Sequence, residues 1–248
     1  MAGHSKFKNI MHRKGAQDKK RAKLFSRLIR EISVASKIGG EDPDSNPRLR
    51  AAINNALSSN MSKDSINKAI KKNNLNSESE LTEIIYEGFG PNGVAILVES
   101  LTDNKNRSAS EIRSTFSKYN GNLGITGCVR HNFDRLGIIT YPKNIDKFDF
   151  FFEHCVSLDV KDIIESDDTI EVITTPDTFH DVLLNLEKKY TPPKFSTIEW
   201  RPQNIIEVND EDQAKALLTL LDKLEDLDDV QSVISNFNIE DKLMEKLI

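Results

Sequence analysis

GIITYPKNIDKFDFFFEHCVSLDVKDIIESDDTIEVITTPDTFHDVLLNLEKKYTPPKFSTIEW, residues 137–200, is the stretch whose reading decides the fold. Its β-branched and aromatic runs at Gly137 to Tyr141, Val160 to Ile164, Thr169 to Thr174 and Phe195 to Trp200 predict strands. Asp146 to Val156 and Pro176 to Lys189 predict helices. The order is strand, helix, strand, strand, helix, strand, which is that of a split βαβ, ferredoxin-like domain.

A second set of elements brackets the first. Strands at Glu83 to Tyr86 and Val94 to Leu101 come before it. So do a helix near Arg107 to Tyr119, on Ala109, Ile112 and Phe116 and closed by Gly121, and a strand from Cys128 to Phe133. After it come Ile205 to Val208, a helix from Glu211 to Leu224 on Ala214, Leu217, Leu218 and Leu221, and a strand near Val230 to Ser235. Read across the gap, these flanks also complete a strand, helix, strand, strand, helix, strand order. The expectation is an α+β multidomain chain of 248 residues in which one ferredoxin-like domain (135–202) is inserted into another (79–134 plus 203–248), with an all-α domain (1–78) in front.

That all-α domain reads as three amphipathic helices. Between Asp18 and Ile38, Leu24, Phe25, Leu28, Ile29, Ile32 and Ala35 share one face, and Gly39-Gly40 supplies the stop. Lys19, Lys23, Arg27, Arg30 and Lys37 form a cationic stripe roughly opposite. Asn46 and Pro47 announce the second helix, with Leu49, Ile53, Ala56 and Leu57 on one side. Arg48 and Arg50 stand in its first turn, where the helix dipole favours acids, so an anion is expected to compensate them. The third helix runs from a Ser62 cap through Ile66 and Ile70 to Lys71-Lys72.

Charge separates this head from the rest. Residues 1–72 hold 17 Lys and Arg against 6 Asp and Glu, a formal +11, in a chain whose total is −5, so the remaining 176 residues carry −16. Such a sign change is the footprint of a nucleic-acid-facing module joined to a body that avoids polyanions. The residues expected to meet phosphate are Lys6, Lys8, His12, Arg13 and Lys14 of a cationic arm, Lys19, Lys20, Lys23, Arg27 and Arg30 of the first helix, Arg48 and Arg50, and Lys71 and Lys72.

Other chemistries find little support. Gly88-Phe-Gly-Pro-Asn-Gly93 matches a dinucleotide fingerprint in letters only, because Pro91 interrupts it and β-rich Val94-Ala-Ile-Leu-Val98 follows where a helix is required; it reads as a hairpin loop. Cys128-Val-Arg-His131 has no second pair of ligands for zinc, and the acid runs 165–168, 210–212 and 226–229 read as solvated helix entries. With no partnered nucleophile and no phosphate loop, the chain reads as a protein that is no enzyme and takes no cofactor or metal. Two cysteines, a mean hydropathy of −0.47 and no apolar run of bilayer length suit a soluble protein of a reducing cytoplasm.

Several motifs resemble the YebC/PmpR family: Met1-Ala-Gly-His-Ser-Lys6, His12-Arg-Lys14, Leu28-Ile-Arg-Glu-Ile32, Gly39-Gly40 with Asp42-Pro43, Asn46-Pro-Arg-Leu-Arg50, Ile70 to Lys72, Tyr86-Glu-Gly-Phe-Gly-Pro91, Thr102-Asp-Asn104 with Asn106-Arg107, and Asn122-Leu-Gly124. Phe7 takes the place of Trp there and Cys128 that of Ser. The resemblance implies a helical N-terminal domain with two α/β domains, a bacterial cytoplasmic location with no transit peptide, and a DNA-binding transcriptional regulator. It also implies relatives that act in translation at the ribosome. Three functions are therefore expected in turn: a DNA-binding regulator, a translation factor on ribosomal RNA, and a protein-interaction scaffold. In the first two the acidic α/β domains are available to protein partners, and no membrane is involved.

Overall fold

The computed structural model describes residues 17–71, 81–145 and 148–247. Their elements are α1 (Gln17–Gly39), α2 (Pro47–Ser58), α3 (Lys63–Lys71), β1 (Thr82–Phe89), β2 (Ala95–Thr102), α4 (Lys105–Lys118), β3 (Asn122–Leu123) and β4 (Phe133–Pro142). Next come α5 (Phe148–Ser157), β5 (Asp162–Glu165), β6 (Thr169–Thr174), α6 (Phe179–Lys189) and β7 (Phe195–Pro202). The chain closes with β8 (Ile206–Glu207), α7 (Glu211–Glu225), β9 (Val230–Ser235), β10 (Phe237–Asn238) and α8 (Asp241–Leu247). They pack into two compact units, one built on residues 78–134 and 201–248, the other on 21–77 and 135–200. Helices therefore lead and two sheet-and-helix regions follow, an α+β chain.

In the second unit β5-β6-β4-β7 form a four-stranded sheet, with β4 antiparallel to β6 through Ile139↔Val172 and Tyr141↔Ile170. The chain enters at the interior strand β4, crosses by α5 to the edge, returns through β6 and crosses by α6 to the far edge, which is the split βαβ path. Period-two alternation in β4 sends Ile139 and Tyr141 to the helix-covered face, where they join Phe151, Cys155, Val182, Leu183 and Leu186 in a buried core.

The helical head of the same unit closes around Ile32, Ala35, Leu49, Ala52, Ala56, Met61, Ile66 and Ala69. Asn46 is its keystone. The side-chain Oδ1 accepts from the Leu49 amide at 3.1 Å and caps α2, while Nδ2 donates to the carbonyls of Ala35 at 2.7 Å and Gly40 at 2.8 Å, closing the end of α1. This explains Gly39, since a Cβ there would stand 2.6 Å from Asn46 Nδ2. The last carbonyls of α3 are closed in a similar way, with Ser33 donating to Ala69 at 3.1 Å and Ser36 to Ile70 at 3.3 Å. Burial deepens along α1: Ile32 and Ala35 are enclosed, whereas Leu24 at its other end stays 39% exposed.

In the first unit the sheet order is β3-β1-β2-β9, and α4 and α7 cover one face with Ile112, Phe116, Leu217, Leu220 and Leu221 packed on Ile96, Val98 and Val233. The glycine-rich hexapeptide is the turn between β1 and β2, as read, with Asn92 in the left-handed region at φ 59°. Two strands depart from the sequence reading. Residues 128–132 carry no strand; the strand starts at Phe133 and belongs to the other sheet, because the Glu87 carboxylate takes up the amides of Gly127, Val129 and Arg130 that a ladder would have used. Ile206–Glu207 does not join the large sheet either, but runs parallel to β10 through Ile206↔Phe237 and Asn238↔Glu207. Their places are filled by β1, which is interior, and by β3 at its edge.

Candidate nucleic-acid interface

Five of the expected phosphate contacts, Lys6, Lys8, His12, Arg13 and Lys14, lie outside the described residues, as does Lys72. Lys19 and Lys20 lie on the backbone of α1, but their side chains also fall outside. Farther along that helix Lys23, Arg27 and Arg30 follow steps of four and three residues, so they share a face. They are half-buried rather than fully exposed. Lys37, Lys63, Lys68 and Lys71 are exposed. Lys63 opens α3 and Lys68 sits in its last turn, and neither is among the residues expected to meet phosphate.

The two arginines of α2 are compensated from inside the molecule. Arg48 makes a two-point pair with Glu31 on α1, Nε at 2.7 Å and Nη2 at 3.1 Å. Arg50 donates from Nε to the Pro43 carbonyl at 3.1 Å and from Nη2 to the Asp44 carbonyl at 2.7 Å. The anion that the helix dipole called for is thus Glu31, and the polar groups around Arg50 are main-chain oxygens. Within the same unit Arg50 also acts on α6: burial and then its charge hold His180 below the usual imidazole range. Glu187, raised by burial, is partly drawn back by it. A further tie links Asn55 Nδ2 to the Ser196 carbonyl on β7 at 3.1 Å.

Polar centres in the other unit are structural in form. Glu87 is 2% exposed and accepts from the amides of Gly127 at 2.8 Å, Val129 at 3.0 Å and Arg130 at 3.0 Å. Burial alone would raise its pKa; the three amides overcome that and hold it below the usual range. Asp229 behaves alike: burial pushes up, and donors from Ser108, Thr102 (2.9 Å) and Arg107 (3.2 Å) bring it down. The Tyr86-Glu-Gly and Thr102-Asp-Asn motifs are thereby explained by carboxylates each tied to several donors.

Nothing in the described residues resembles an activated nucleophile. Cys155 is buried and its thiol pushed up to about 12, and burial followed by the Glu87 charge raises Cys128, the opposite of a reactive thiolate. Among the described residues no three His, Cys, Asp or Glu side chains are grouped to hold a metal, and no helix is long and apolar enough to cross a membrane.

Known proteins match the whole length. A family model described as the TACO1/YebC protein N-terminal domain matches residues 5–76, and one for the TACO1/YebC second and third domain matches residues 81–237. A protein of Zymomonas mobilis named probable transcriptional regulatory protein is 49% identical over all of this chain and 99% of its own. One of the same name from Geobacter sulfurreducens is 48% identical over all of both. The crystal structure of a conserved hypothetical protein from Aquifex aeolicus superposes with a TM-score of 0.79 at 42% identity, covering 94% of this chain and 96% of that one.

Proposed function

The chain belongs to the TACO1/YebC family, and on that footing we propose that it is a cytoplasmic transcriptional regulatory protein that grips DNA by its phosphate backbone through the helical head, without catalysis or cofactor. One observation carries the reading: +11 is gathered in the first 72 residues while the other 176 hold −16. The head meets the polyanion, and the acidic body keeps the protein from coating it and offers faces to protein partners. The names of the Zymomonas and Geobacter relatives support the regulatory role.

Engagement of about six to eight cations gives binding to duplex DNA a log-log salt slope of roughly −5 to −7. Titration of the intact protein onto a promoter-length duplex at a series of salt concentrations measures it. A flat salt response, or no binding even in dilute buffer, overturns the reading.

A second reading, a translation factor on ribosomal RNA, fits the state of α2 equally well. Its two arginines, the side chains best placed to reach base edges, are engaged by Glu31 and by the Pro43 and Asp44 carbonyls, so recognition rests on backbone charge, which DNA and RNA share. Crosslinking in cells followed by sequencing separates the two: genomic loci support transcription, ribosomal RNA supports translation.

A further inference from the structure

The head carries a groove of about 390 Å³ between α2, α3 and the residues around Pro43. This volume falls in the roughly 300–1,000 Å³ range of small-molecule sites. Its walls are Pro43, Ile53, Leu57, Ile66 and Ile70, and its rim carries Lys63, Asn67, Lys71 and Glu41. The pattern is ordered along α3: Lys63, Ile66, Asn67, Ile70 and Lys71 are spaced three, four, seven and eight residues from the first, so they form one stripe. A cation stands at each end, about 12 Å apart at the helical rise, with apolar side chains and one amide between. On the facing helix Leu57, read from the sequence as a core residue, is left 39% exposed as part of the wall.

We propose that this groove holds one unpaired base of single-stranded RNA, with Lys63 and Lys71 on the flanking phosphates. The proposal rests on the second reading of the head, RNA gripped by its backbone, and adds the form of the strand. Isoleucine and leucine side chains bury the face of a base, as apolar pockets for extruded bases do. The Asn67 amide offers the donor and acceptor that pair with an adenine edge. A perfect duplex presents no free base, whereas RNA loops do, at no melting cost. The charge pattern, anion beside apolar group beside anion, is complementary to the stripe.

The test uses the intact chain and fluorescence anisotropy with three labelled probes: a single-stranded oligoadenylate RNA, the DNA strand of the same sequence and length, and a blunt DNA duplex. Leu57→Lys adds a cation while removing apolar wall. The groove predicts about fivefold or more weaker binding to the RNA and unchanged or tighter binding to the duplex. Asn67→Ala is expected to weaken the adenine RNA about fivefold and an oligouridylate RNA less than twofold. Both variants must keep the wild-type circular dichroism melt. Unchanged or tighter RNA binding by Leu57→Lys overturns the groove, as does an acidic Glu/Leu peptide that binds the wild type but not Leu57→Lys and leaves the RNA bound. An equal loss on RNA and on the DNA strand overturns the choice of RNA. In each of these cases the charge-based function survives; failure of the wild type on every probe sinks that function instead.

Discussion

The two units manage charge in opposite ways. Around Glu87 and Asp229 single carboxylates are taken out of water, and each is surrounded by three donors from its own unit. In the head the arginines of α2 are matched at the surface, by Glu31 or by main-chain oxygens, and Lys37, Lys63, Lys68 and Lys71 point outward. A buried ion costs several kcal/mol unless every lone pair is met, so such a group is committed to the fold; an exposed one costs little and remains available to a ligand. The motifs of the first unit accordingly describe architecture, as do Gly39-Gly40 and Asn46 in the head, whereas Lys37, Lys63, Lys68 and Lys71 are left at the surface.

The contrast breaks most visibly at Glu87. Glu87→Ala strands the amides of Gly127, Val129 and Arg130 and is expected to cost about 3–5 kcal/mol in urea unfolding. The same carboxylate and Asp229 have folded pKa values depressed below the unfolded ones. Their stabilisation is therefore complete above the ordinary carboxylate range near pH 4 and is lost as pH falls through the depressed values. Acid titration followed by near-ultraviolet circular dichroism checks the sign, and Glu87→Gln should flatten that limb. Next in size is Asn46→Ala, which removes the cap of α2 and the donors to Ala35 and Gly40, at about 2 kcal/mol in thermal melts.

On the other side of the comparison, Lys63→Glu, Lys68→Glu and Lys71→Glu together should leave the melt within about 0.5 kcal/mol of wild type. Nucleic-acid binding should weaken about tenfold or more, roughly 1.4 kcal/mol, with a shallower salt slope. Smallest of all is Arg48→Ala. Its pair with Glu31 is 40% and 37% exposed, and a double-mutant cycle should return about 0.2–1 kcal/mol of coupling, falling with salt.

The sequence disclosed the second sheet almost completely because each strand there is a β-branched run bounded by turn residues and each helix keeps one apolar face. It disclosed the head's helices for a similar reason, with Asn46-Pro47 and Gly39-Gly40 marking their ends. What it concealed depends on approach across the chain. Arg48 gave a local clue, a charge against a dipole, yet its answer lies on α1, 17 residues away. Glu87 looked like any alternating strand residue, since its donors come from a loop some 40 residues on. The same loop took the strand expected at Cys128 to Phe133, and Leu57 fell on the apolar side of α2 by period but outside the core by packing. Of the expected contact residues whose side chains can be placed, Lys71 is exposed and Lys23, Arg27 and Arg30 are half-buried, while Arg48 and Arg50 meet Glu31 and main-chain oxygens.

The order of the strands has a consequence during synthesis. Glu99 on β2 meets Ser232 on β9, 133 residues later. Every strand of the other sheet, β4 to β7, is made in that interval. The nascent chain thus finishes the sheet encoded in its middle while the earlier hairpin waits with one apolar flank unpaired, so a message cut short after Thr102 and before Val230 yields a product with a sticky edge that quality-control proteases can recognise.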